Sequence, residues 1–341
     1  MRPAWYDGHL DLACLALEGR DMLMELGSAS GGPQPPSVTF PSLERGKVGF
    51  ANATLFTAPN FNAPFGYKRN DINRAYQLGQ RQLKFYKGWE TLGLLQIVRS
   101  PKDLEETNPQ RMKVVVLMEG ADPIREPSEL SIWFESGLRM IGLAWATGTR
   151  YAGGNYTKGP LTPLGENLVD GMEELGMIHD LSHLSDEAAN SLLAMTQGPV
   201  VASHSNSRSV LGSQVQRHIS DPLIRQVSER GGIVGLNLFS KFLIPNGEKN
   251  RASIQQTLAH VDHIVEVMGH RRGIALGSDM DGGFGADKLP QGIGQHEDLT
   301  LLTDELSSRG WSDRDVLGFV QGNWLDFMKD NLPEPVEESE G

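Results

Sequence analysis

Short apolar runs rich in β-branched residues alternate along this chain with longer stretches whose apolar positions recur every three or four residues. The short runs predict strands at residues 6–13, 51–56, 114–118, 140–143, 177–180, 200–203, 232–237 and 274–277. Between them the longer period predicts helices at 72–90, 167–175, 186–195, 222–230 and 253–268. Eight strands separated by helical stretches, with no hairpin signal among them, favour an α/β fold closed as a (β/α)8 TIM-type barrel over an open doubly wound sheet. A dinucleotide-binding sheet would want GxGxxG after its first strand, and none is present.

Two segments break the pattern. Residues 27–39 (GSASGGPQPPSVT) read as a surface loop, and the acidic, Pro-containing end reads as a frayed tail. Residues 1–330 are therefore expected to form one catalytic domain, with 331–341 outside it. At 341 residues and 39% hydrophobic, the chain can bury one large core. A net charge of −12 with no dense Lys/Arg run argues against nucleic acid or an anionic membrane as partner. Cys14 is the single cysteine, so no disulfide can form within the chain, and it is expected to be a small buried apolar residue. No window approaches the roughly 20 apolar residues of a membrane span. No apolar segment of signal-peptide type follows Arg2, and a cytoplasmic location is the expectation.

In a parallel barrel the chemistry lies where the strands end. The first strand carries DGHLD, with His9 and Asp11 two residues apart and hence on one face of an extended strand. The third ends at Glu119, the fifth runs into HDLSH ending at His183, the sixth into ASH ending at His204, and the eighth ends at Asp279. Imidazole nitrogens and carboxylate oxygens are the ligands zinc takes in catalytic sites. Three histidines and these acids suffice for two metals, with a carboxylate such as Glu119 able to bridge them. Each residue alone has a plainer structural use, but independent uses would not place all of them at strand ends. His260 and His263 sit mid-helix and are assigned to packing or surface. Strand alternation turns His179 away from the face of Asp180. The hydroxyl-rich SHSNSRS, residues 203–209, lacks the GxSxG elbow of a serine nucleophile and is assigned to loop capping.

The strings DGHLD, LMEGAD, ELGMIHDLSHLSDEA, PVVASHSNSRSV, HVDHIVEV, LGSDMDG and GNWLDFM, in this order, resemble the membrane (renal) dipeptidase family of the amidohydrolase superfamily. The likeness runs from about Asp7 to Met328 and is weakest at residues 18–36 and 58–108. It implies a zinc-dependent dipeptidase with two Zn2+ per chain, cleaving the peptide bond by a hydroxide shared between them. His9 and Asp11 match the ligands of the first zinc, Glu119 the bridging glutamate, and His183 and His204 the ligands of the second. Asp279 matches the residue that passes a proton to the leaving amine. Arg217, in QVQRHISD, falls near the arginine that holds the substrate carboxylate. Trp145 stands where mammalian members carry a histidine facing the scissile carbonyl, and an indole N–H can donate a hydrogen bond but carry no charge. The expected partner is a dipeptide or related small amide, with homodimer formation left open. Hydrolysis of another small amide, lactam or lactone, or binding without catalysis, are the competing readings.

Overall fold

The computed structural model describes residues 4–105, 111–212, 214–245, 247 and 249–334. Six parallel strands pair in sequence order: β1 (Trp5–Leu10), β2 (Val48–Phe56), β3 (Met112–Glu119), β4 (Leu138–Gly142), β5 (Ile178–Asp180) and β6 (Val200–Val201). The last two, β7 (Val234–Leu236) and β8 (Ile274–Leu276), pair with each other, again in parallel. A bridge between Ala202 and Val234 links β6 to β7, with Ala202 N–H donating to Ile233 O and Gly235 N–H to Ala202 O, each at 2.8 Å.

Closure between β8 and β1 relies on side chains. Asp7 accepts the backbone N–H of Ser278 at 2.8 Å, the Ser278 hydroxyl, and His296 Nε2–H at 2.7 Å. Asp279 N–H adds a bond to His9 O at 3.3 Å. All eight strands expected from the sequence are found, with shifted ends. The pattern overlooked a short strand, Leu95–Ile97, that pairs beside β3 opposite Met112–Val114. It also missed the helix Asn323–Asn331, which closes the barrel floor. Of the expected tail, residues 335–341 lie outside those described.

Alternation along the strands divides the core in two. Tyr6, Val115, Leu117, Met140, Ile178 and Val201 fill the barrel interior over Trp324 and Phe327. Their strand neighbours, Val114, Val116 and Met118, face the helices, where Leu83, Tyr86 and Trp133 meet them. Trp324 donates its indole N–H to Leu276 O at 2.9 Å. Gly8 is needed opposite that ring, because a Cβ there would lie 2.6 Å from Trp324 Cζ2. The helices start where their caps dictate. Asp71 caps Ile72–Thr91, Thr162 caps Pro163–Glu174, Ser185 caps Asp186–Met195, and a Ser253–Gln256 capping box opens Ile254–Met268. No helix among the described residues is long and apolar enough to cross a membrane.

Candidate metal centre

Glu119, Asp180, Ser203, Asn237 and Asp279 all keep the inward phase of their strands, which places them at one end of the barrel. His9 does not follow from simple alternation. Between Asp7 and Leu10 strand β1 has one residue more than its partner stretch Ala51–Ala53, and this bulge turns His9 inward. The sequence placed His9 and Asp11 on one face of a continuous strand. The strand instead stops at Leu10, and Asp11 reaches the site from the N-cap position of the helix Leu12–Leu17.

All six strand-end residues come together. Glu119 lies at the centre, with Oε1 3.2 Å from His183 Nε2 and 3.4 Å from His204 Nε2. Its Oε2 lies 3.6 Å from His9 Nε2, which is itself 3.9 Å from Asp11 Oδ1. Three overlapping groups have the spacing of metal ligands: His9–Asp11–Glu119, Glu119–His183–His204, and His9–His204–Asp279. All are buried.

Arg217 is buried as well and borders the cavity of about 550 Å3 that opens above these groups. Its Nη1 is 3.4 Å from Ser205 Oγ, its guanidinium carbon lies 5.0 Å over the Phe242 ring, and Nε and Nη2 have no partner. Asp221, four residues on, bonds to His263 and Ser209 rather than to Arg217. Trp145 lines the same cavity, 5.8 Å from the His183 ring.

The model of the membrane dipeptidase family, peptidase family M19, matches residues 3–339. The chain belongs to that family. Dipeptidase 3 of Mus musculus is 32% identical over 240 residues, which are 68% of this chain and 46% of that protein. An uncharacterized protein from the pqqA 5' region of Klebsiella pneumoniae is 28% identical over 248 residues, 70% of this chain and 89% of its own. The chain thus spans about half the length of the curated dipeptidases it matches. Among solved structures, a Rhodobacter sphaeroides metallo peptidase liganded with a phosphinate mimic of L-Ala-D-Ala shares the fold at a TM-score of 0.84. It is 22% identical, with 97% of this chain and 99% of that one covered.

In this M19 chain the two far histidines are oriented from behind. His183 Nδ1–H donates to Asn155 Oδ1 at 3.1 Å, since an amide oxygen can only accept. His204 Nδ1–H donates to Ser203 Oγ at 2.8 Å, whose own proton goes to Asp180 Oδ2 at 2.5 Å. Both Nε2 lone pairs consequently point into the site, 3.1 Å apart. Two such lone pairs repel unless a cation or proton sits between them. Burial opposes the proton, holding His183 and His204 well below the usual imidazole range, and burial and Arg217 push His9 down to about 3. Burial and neighbouring carboxylates hold Glu119 and Asp279 well above the usual range, and burial takes Asp11 up to about 6. His9 Nε2 is buried without a hydrogen-bond partner. Neutral imidazoles, crowded carboxylates and an orphaned nitrogen together fit bound divalent cations.

Several residues at the site carry no signal in the sequence pattern. Thr54 donates to Asp11, and Asn237 donates to Asp279 Oδ2 at 2.8 Å. Ser203 and Ser205 reach the site, whereas Ser207 caps the short helix Arg208–Leu211, so hydroxyl capping accounts for part of that cluster alone. The histidines left aside lie elsewhere: His179 pairs with Glu173 at 2.7 Å, and buried His260 accepts Ser207 N–H and donates to Leu243 O. Cys14 is buried in the cavity wall, its thiol held well above the usual range by burial.

Proposed function

We propose that this chain is a binuclear zinc dipeptidase, with residues 1–330 acting as one catalytic domain in the cytoplasm on small free dipeptides. The observation that carries the reading is the split of Glu119, whose two oxygens face two different ligand pairs. His9, Asp11 and Glu119 would hold one ion, and Glu119, His183 and His204 the other; nitrogen and oxygen donors of this kind suit zinc. Such a pair of ions supplies Lewis acidity and a water activated at neutral pH.

The chain's own groups do the rest. Asn237 fixes Asp279 at Oδ2, which leaves Oδ1 to take a proton from the attacking water and pass it to the departing nitrogen. Arg217 offers two unpartnered N–H faces to the substrate's terminal carboxylate, and its burial away from bulk water strengthens that bond. Trp145 contributes a ring and one donor beside His183, with no proton to give.

The test is metal analysis of the purified protein followed by a panel of dipeptides, each free and amidated at the C-terminus. Close to two zinc-class ions per chain, loss of activity with a chelator, and strong preference for free carboxylates are expected. Arg217→Ala should erase that preference. Full activity without metal, or equal cleavage of free and amidated dipeptides, would refute the reading.

A further inference from the structure

We infer that this site selects dipeptides whose N-terminal residue carries a large apolar side chain, aromatic above all, held against Phe56, Phe61, Phe65 and Trp145. The inference rests on the dipeptidase reading above and adds which substrates it takes. The four rings form one continuous panel of the cavity wall. Phe56 lies 5.0 Å from Phe65 and 5.4 Å from Trp145, and Phe61 lies 5.1 Å from Trp145 and 6.2 Å from Phe65, edge-on or tilted throughout. Phe61 nevertheless stays 42% exposed. A large ring left half in water at the mouth of a cavity gains most when a ligand's apolar side chain covers it.

Position follows from the opposite wall. Arg217 lies over Phe242, which packs on Phe239, itself stacked on Phe284 at 4.2 Å. A carboxylate held by Arg217 therefore puts the C-terminal residue on that wall. The backbone then runs across the metal ligands at about 3.5 Å per residue. That leaves the N-terminal side chain for the panel of Trp145, which adjoins His183. The four panel rings carry no charge. An anionic N-terminal side chain would shed water there without gaining a partner.

The experiment compares kcat/KM for Phe-Gly, Leu-Gly, Gly-Gly and Asp-Gly with the metal-loaded enzyme. Phe-Gly should exceed Gly-Gly by roughly ten- to a hundredfold, with Leu-Gly between them and Asp-Gly lowest. Phe61→Ala should pull the Phe-Gly to Gly-Gly ratio toward one, and Phe61→Leu should leave an intermediate ratio. Phe61 is exposed enough for both variants to fold, and metal content checks that they have. Equal rates across the panel overturn the inference, as does an unchanged ratio in both Phe61→Ala and Phe65→Ala. Cleavage of no dipeptide at all defeats the dipeptidase reading itself and is thereby told apart from a failure of selectivity.

Discussion

The two sides of Glu119 are built in different ways. On one side His183 and His204 are aimed by hydrogen bonds they donate to Asn155 and to Ser203, the latter backed by Asp180. On the other side neither nitrogen of His9 has a partner. Its ring is held by the bulge in β1 and by stacking on His204, with centroids 3.7 Å apart. Hydrogen bonds aim both histidines on one side; on the other, Thr54 holds Asp11 while backbone shape and packing alone hold His9. The lesson is that a symmetrical set of ligands can rest on unequal supports, and substitutions can tell them apart.

The largest effect should come from the residue both sides share. Glu119→Gln leaves one oxygen as acceptor and removes the charge, so metal content should fall on both sides and activity with it, read by elemental analysis. Retention of two ions would show that Glu119 bridges nothing. Next comes Asp279→Asn, which removes the proposed proton carrier while leaving the five proposed ligands in place. We expect kcat to fall by roughly 10²–10⁴-fold with most metal retained. Loss of metal, with activity restored by added zinc, would make Asp279 a ligand first. The smallest effect is the most discriminating. Ser203→Ala cuts the chain from Asp180 to His204 and should weaken one metal by about 10–100-fold in competitive chelation. Two sites weakened equally would erase the contrast between the sides.

Much of this arrangement was readable in the sequence. Period-two and period-3.6 patterns are local; they located eight strands with shifted ends, and the helix Asp186–Met195 to the residue. Strand ends then pointed to His9, Asp11, Glu119, His183, His204 and Asp279, which the fold brings together. What escaped depends on contacts far apart in the chain. Ser203 reaches Asp180 across 23 positions and Asn237 reaches Asp279 across 42, and no local pattern announces either. The bulge in β1 was hidden for another reason: it is a mismatch between two strands, so DGHLD alone carries no trace of it. The aromatic panel was missed because its rings come from β2, the loop after it and the loop after β4, and only the fold brings these segments together.

The seam where β8 meets β1 has a consequence for motion. Its two banks carry His9 and Asp279, and they are joined chiefly through one carboxylate, Asp7, gripping Ser278 and His296. Elsewhere around the barrel a fluctuation that parts two strands must break a row of backbone bonds. Here the same opening would pull His9 away from Asp279. On the proposed function, the rigidity of the buried Asp7–Ser278–His296 triad directly below the site would set how long His9 and Asp279 stay in register.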